Sequence, residues 1–142
     1  MLMALISLIG VLVSLYLTLY KLGYIGTLAC GTGACETVQL SRWGDFLGLP
    51  VAAWGVGYYL LVFVLTVVAT QERFELSRGL SLTILLVTAW GVLFTARLTY
   101  LELFRIHAIC RWCVGSATMV VLLFALALWD WLDSRKWQVA SD

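Results

Sequence analysis

Four long apolar runs separated by polar segments dominate the chain. They cover about residues 2–20, 51–70, 80–101 and 113–132. Each run is close to the roughly 20 residues that a membrane-spanning helix needs. The pattern therefore predicts an all-α integral membrane protein, a bundle of four transmembrane helices in which residues 1–142 form one domain.

The polar connections place all the cysteines at one membrane face. An even number of spans puts both termini on one side, so the loops 21–49 and 102–112 lie together on the other side. These loops and the start of the fourth span carry the four cysteines, Cys30, Cys35, Cys110 and Cys113.

The long loop 21–49 is predicted to cap the bundle on its outward face. Between Glu36 and Leu47, apolar residues recur at rough helical spacing among charged and polar ones. This spacing predicts a short helix that lies in the membrane interface. The alternative is a loop with scattered apolar anchors.

Composition agrees with a membrane protein and excludes some partners. Apolar residues make up 63% of the chain and charged residues 12%, against about 45–50% and 25% in soluble domains. A net charge of +1 gives no argument for nucleic acid. Positive residues are shared evenly between the two faces, so charge does not fix the orientation. Because lasting disulfides belong in oxidising compartments, we expect the cysteine loops to face the periplasm or exterior from the inner (plasma) membrane, with both termini cytoplasmic.

The Cys110-Arg111-Trp112-Cys113 motif has a specific chemical use. A spacing of i, i+3 puts both sulfurs on one helix face. We expect the free N–H groups and the dipole of the first turn to stabilise a Cys113 thiolate, the reactive form of a thiol. Together with the second pair, the motif indicates a redox relay. The chain has no nucleotide-binding glycine motif and no haem-type CxxCH, so a lipid-soluble quinone is the expected electron acceptor.

Other interpretations of the cysteines remain open. The four sulfurs could hold a structural zinc ion in a non-enzymatic membrane protein. One or two could be inert and buried, acting as small hydrophobes. A transporter subunit would place ionisable groups at mid-span, and such groups are almost absent here. The redox interpretation assigns no metal site.

The motifs resemble the vitamin K epoxide reductase family in its bacterial single-domain form, from the first span to the fourth. The order of the two cysteine pairs distinguishes this family from the other well-known four-helix membrane family that generates disulfides. That family carries its CxxC in the first outward loop, whereas this chain carries it at the end of the second. The residues that carry the resemblance are Cys30, Cys35, Ser41, the segment 48–55 leading to Tyr58, and the Cys110–Cys113 motif.

The resemblance implies a four-helix bundle that encloses ubiquinone or menaquinone. It implies an enzyme that oxidises the dithiol of a thioredoxin-like partner and reduces the quinone. In such an enzyme Cys30 meets the partner, Cys35 exchanges with Cys110, and Cys113 meets the quinone.

Three further residues are expected at the quinone by the same resemblance. They are Ser41, Trp54 and Tyr58. Ser41 would position the cap or donate a hydrogen bond near the quinone, although a simple helix-surface serine is the alternative.

The chain also departs from the vertebrate enzymes of that family. Ala117 stands where they carry a tyrosine, and the stretch 51–53 lacks their substrate-binding asparagine. These absences favour quinone reduction coupled to protein-thiol oxidation over epoxide reduction. Since no thioredoxin-like domain follows before Asp142, we expect the partner to be a separate protein.

The remaining ionisable residues near the spans have mainly structural interpretations. Arg97 should extend to the nearby interface. His107 should be a solvated loop residue, and the alternative is that it tunes the thiolate or accepts a proton. Glu102 is close enough to pair with Arg97 or Arg105.

Overall fold

The computed structural model describes residues 1–26, 34–71 and 78–141, with the backbone alone for residues 34, 137, 138 and 141. The prediction for Cys30 lies outside these residues. The helices are α1 (Leu2–Lys21), α2 (Ala34–Leu40), α3 (Val51–Ala69), α4 (Arg78–Leu101) and α5 (Arg111–Ser141). A 3₁₀ turn at Arg42–Gly44 and two short strands, β1 (Asp45–Phe46) and β2 (Leu49–Pro50), join α2 to α3.

Within the described residues, four helices are long and apolar enough to cross a membrane, as predicted. They comprise Leu2–Lys21, Val51–Ala69, Arg78–Ile106 and Arg111–Lys136. The fourth begins at Arg111, two residues earlier than expected, so the preceding loop ends at Cys110 instead of Trp112. The helix α5 also continues beyond the predicted end at residue 132.

Small residues allow the helices to approach one another closely. The most extensive contacts are those of α1 with α3 and of α4 with α5. A side chain at Gly10 would overlap the Tyr59 ring, and a side chain at Gly55 would press on Ser14. In a membrane the hydrophobic effect does not drive helices together. Small-residue contacts allow the close packing from which the helices gain van der Waals attraction instead.

Tyr59 ties α3 to α5 in the centre of the bundle. It is buried in one apolar cluster with Val62, Val120 and Leu123. Its hydroxyl donates to the Ser116 backbone oxygen at 2.9 Å and lies 2.7 Å from Ser116 Oγ. The buried phenol is therefore fully satisfied, as buried polar groups require.

The cap contains the expected helix, but the helix is shorter than predicted. It ends at Leu40 instead of reaching Leu47. Ser41 follows in an extended conformation, and β1 and β2 then form an antiparallel hairpin. Leu47 and Gly48 form its two-residue loop with φ of 54° and 81°. Two successive positive φ values are typical of the tight turns that match the twist of paired strands.

A π-helical turn ends the third span and turns the chain back. It covers Glu102–Ile106 and is followed by His107 in the left-handed region, with φ 55° and ψ 30°. The N–H groups of His107 and Ala108 both donate to the Glu102 backbone oxygen. Single π-helical turns are rare and often lie at functional sites. This one brings Cys110 back to Glu102.

Candidate active site

Three of the four cysteines meet at one end of the bundle, under the cap. Cys35 on α2 and Cys110 before α5 are completely buried in a single apolar cluster with Leu17, Val38 and Ala52. Cys113 packs against this cluster from the first turn of α5. The predicted convergence of the two outward loops is thus present for the cysteines that the structure describes.

The sulfurs are in different oxidation states. Cys35 is disulfide-bonded, whereas Cys110 and Cys113 are free thiols. An oxidised cap and a reduced CxxC therefore lie next to each other.

The start of α5 directs its first N–H groups at Cys110. The Cys113 N–H donates to Cys110 Sγ at 3.3 Å, so Cys110 caps the helix with its own sulfur. The stabilisation that the sequence predicts for Cys113 at this helix end thus acts on Cys110. The pKa of the Cys110 thiol is lowered, chiefly by the hydrogen bond from the Cys113 thiol, with the Cys113 and Trp112 backbone groups adding to it. Burial and the Glu102 charge act in the opposite direction.

Gln39 links the cap to the second thiol. Its side chain is buried, and Nε2 donates to Cys113 Sγ at 3.7 Å. Lys21 at the end of α1 donates to the Gln39 backbone oxygen and forms an ion pair with Asp45 at 3.4 Å. These contacts hold α2 over the thiols.

Glu102 faces the same thiols from the end of the third span. It is only 7% exposed, and its Oε2 accepts a hydrogen bond from the Cys110 N–H at 3.4 Å. The carboxyl group also contacts the Cys113 thiol. The pairing with Arg97 or Arg105 that the sequence allows does not form: both arginines are exposed, and no such ion pair occurs among the described residues. The π-helical turn directs the carboxyl group inward instead.

Ser41 and Trp54 hold the cap together. Ser41 Oγ donates to the Val38 backbone oxygen at 2.8 Å, so its hydroxyl closes the end of α2. Trp54 Nε1 donates to the Phe46 backbone oxygen at 3.0 Å and the two rings meet edge-on. Both residues thus serve cap structure in this arrangement.

Tyr58 is the predicted site residue with a spare hydrogen-bond donor. Its ring stands edge-on to Tyr59 at 5.3 Å, and its hydroxyl lies against Gly91 of α4, where any side chain would overlap it. This hydroxyl is buried and has no hydrogen-bond partner among the described residues. A buried donor without a partner fits a ligand carbonyl, such as that of a quinone.

Comparison with known protein families decides between the interpretations of the cysteines. A sequence model of the vitamin K epoxide reductase family matches residues 1–128. The protein belongs to this family. It is therefore a membrane thiol oxidoreductase, from a family that is quinone-dependent in general and generally works with a thioredoxin-like partner.

Membership in the vitamin K epoxide reductase family and the sulfur states both disfavour the zinc alternative. Zinc binds thiolates, and a four-thiolate site needs all four sulfurs reduced. In this structure Cys35 is already in a disulfide.

A cleft between α1 and α5 adjoins the CxxC turn of this family member. Its volume is about 440 Å³. Its lining is mostly apolar, with an arginine and a serine. The lining residues are Val13, Arg111, Trp112, Gly115, Ser116 and Met119.

Sequence reasoning missed two residues of this reductase-family site, Gln39 and Glu102. Gln39 lies four positions after Cys35, a spacing that shares one helix face. Glu102 is an acid at the end of an apolar span, eight positions before Cys110. An intramembrane acid is a functional hypothesis by default, and this signal was available.

Proposed function

We propose that the protein is a quinone-linked, disulfide-forming enzyme. It oxidises the dithiol of a thioredoxin-like partner and reduces ubiquinone or menaquinone. One observation carries the proposal: the disulfide-bonded Cys35 and the free thiol of Cys110 are buried in one cluster, with Cys113 beside them.

The proposed relay moves two electrons through two disulfide exchanges. A partner thiolate attacks Cys30 of a Cys30–Cys35 disulfide, and the second partner thiol completes the partner's disulfide. The freed Cys35 thiolate attacks Cys110 of an oxidised Cys110–Cys113 pair, and Cys113 leaves. Cys30 then attacks Cys35, which restores the outer disulfide and releases Cys110 reduced.

The end state of that exchange has an oxidised outer pair and a reduced inner pair. The disulfide-bonded Cys35 and the free Cys110 and Cys113 fit this state. Oxidation of the inner dithiol then releases two electrons and two protons, which the quinone takes up to become the quinol. Tyr58 is the residue proposed to bind a quinone carbonyl, and Cys113 is the sulfur nearest to the quinone.

The proposed orientation follows from the redox chemistry. Disulfides persist in oxidising compartments, so the cysteine end faces the periplasm or exterior of the inner (plasma) membrane. Both termini are then cytoplasmic. A cysteine-directed label that does not cross membranes should reach single cysteines placed at the exposed Leu47 but not at the exposed Asp133 in intact cells.

The test is anaerobic mixing of the reduced, detergent-solubilised protein with a short-chain quinone. Quinone absorbance and free thiols are followed together. The proposal predicts the loss of two thiols per quinol formed, and no quinol formation by Cys113→Ala. Quinone reduction that persists in Cys113→Ala, or is absent from the wild-type protein, would contradict it.

The order of the relay is tested with two electron donors. Cys30→Ala should lose oxidation of a thioredoxin-like protein while a small dithiol still reduces the inner pair directly. If Cys30→Ala oxidised the protein donor at the wild-type rate, the proposed order of the two pairs would be wrong.

A further inference from the structure

Glu102 is a buried acid that the relay of thiols does not use. At 7% exposure it is the only buried carboxyl group among the described residues. A carboxylate in such surroundings loses much of its hydration, and it is retained only where it has partners or a function.

The backbone aims this carboxyl group at the reacting sulfurs. The π-helical turn and the left-handed His107 return the chain so that the Cys110 N–H donates to Glu102 Oε2 at 3.4 Å. The same carboxyl group contacts the Cys113 thiol. Glu102 therefore touches one member of the dithiol directly and the backbone of the other.

Other charged groups on the elements next to Glu102 are exposed or act on other residues. On its own turn Arg105 and His107 are exposed, and on α5 Arg111 is exposed. On α2 Cys35 is in a disulfide, while Glu36 acts electrostatically on Tyr20. Among the described residues, the titratable groups that face Glu102 are thus the two thiols.

We propose that Glu102 is the catalytic residue that carries the proton of the Cys113 thiol during quinone reduction, an inference that rests on the proposed function. The Cys113 S–H bond breaks and the proton moves to the Glu102 carboxylate. The Cys110–Cys113 disulfide forms as two electrons pass to the quinone. The quinol takes up the proton from Glu102 and a second one released by Cys110, so atoms and charge balance.

The alternative is that Glu102 is a structural acceptor for the Cys110 N–H. Glu102→Gln separates the two roles, because the amide oxygen still accepts that hydrogen bond but the side chain no longer accepts a proton. If the Glu102 carboxylate only lay near the thiols without accepting a proton, its negative charge would disfavour the thiolates, and removing that charge would favour thiolate formation. The structural alternative therefore predicts an unchanged or faster reaction.

The experiment measures single-turnover quinone reduction by the reduced protein across pH. Glu102→Gln should be slowed by about 100-fold or more, the usual contribution of positioned acid–base groups. Its rate should rise with pH in proportion to hydroxide, over a range where the wild-type rate is flat. Asp133→Asn removes an exposed carboxylate from α5 and should behave as the wild type.

The outcomes separate this inference from the proposed function. Wild-type activity with an equally active Glu102→Gln at every pH would overturn the role of Glu102 alone, whereas an inactive wild type would overturn the proposed function. If Glu102→Gln does not fold, Glu102→Asp carries the test. A flat pH profile in Glu102→Asp supports proton transfer by the carboxyl group, and a rate proportional to hydroxide overturns it.

Discussion

The side-chain amide nitrogen of Gln39 lies 3.7 Å from the sulfur of Cys113, so a residue of the cap touches a thiol of the bundle. Gln39 is 6% exposed, and the contact is therefore shielded from water. An N–H that donates to sulfur favours the thiolate over the thiol. The cap thus adds an electrostatic contact to the CxxC in addition to covering it.

Replacing this donor should slow the reaction of the inner pair. Gln39→Leu keeps the size of the side chain and the Lys21 hydrogen bond to the backbone oxygen, and it removes only the amide. A hydrogen bond to a charged group contributes about 1.5–3 kcal/mol, so quinone reduction should slow about tenfold or more. Leu40→Ala, at an exposed position of the same helix, is the control. Equal rates for Gln39→Leu and the wild type would show that the contact does not serve the reaction.

The lowered pKa of Cys110 should depend on the hydrogen-bond donor at position 113. Cys113→Ser keeps a donor to Cys110 Sγ, whereas Cys113→Ala keeps only the backbone N–H. With the outer pair oxidised, the thiolate absorbance then reports Cys110 alone. It should appear at lower pH in Cys113→Ser than in Cys113→Ala.

The difference in Cys110 pKa between Cys113→Ser and Cys113→Ala should also change how the free energy of unfolding depends on pH. Because the folded pKa of Cys110 lies below the unfolded value of about 8.5, its thiolate stabilises the fold above that unfolded value. The stabilisation is lost as the pH falls through the folded pKa. The free energy of unfolding should therefore rise with pH more in Cys113→Ser than in Cys113→Ala. Coincident titrations of the two variants would rule out the side-chain hydrogen bond as the cause.

Elements set by local pattern were predictable from the sequence. An apolar run of about 20 residues has few options other than a spanning helix, and all four such helices are present in the described residues. The meeting of Cys35 with Cys110 follows from an even number of spans. A helix in the cap was also predictable, because the apolar spacing after Glu36 is helical.

The features that the sequence did not predict depend on the backbone conformation of single residues. The cap helix stops at Leu40, where Ser41 becomes extended, and Leu47 later adopts a positive φ in the hairpin loop; apolar spacing reveals neither conformation. The π-helical turn likewise redirects Glu102 from the expected arginines to the thiols. Such turns decide which side chains reach the sulfurs, so the site was less predictable than the fold.

The close approach of α1 and α3 at Gly10 gives a prediction about stability. In Gly10→Ala the new methyl group would overlap the Tyr59 ring, and overpacking of this kind costs about 1–3 kcal/mol. Gly57→Ala is the matched control on α3, since nothing lies within 4 Å of a side chain there. Thermal unfolding in detergent should show a lower midpoint for Gly10→Ala alone. An unchanged midpoint for Gly10→Ala would contradict the overlap with the Tyr59 ring.

Substitutions of the adjacent residues Tyr58 and Tyr59 should have different effects, one on quinone binding and the other on the stability of the bundle. Tyr59→Phe removes a hydroxyl that bonds Ser116 and should cost about 1 kcal/mol in the free energy of unfolding. Tyr58→Phe removes a buried hydroxyl without a partner among the described residues, so it should leave stability unchanged or improve it. If Tyr58 donates to a quinone carbonyl, the same substitution should raise KM for the quinone several-fold, by the loss of about 1 kcal/mol of hydrogen bonding. Steady-state kinetics with varied quinone and unfolding in parallel check both variants, and an unchanged KM in Tyr58→Phe would remove Tyr58 from the quinone site.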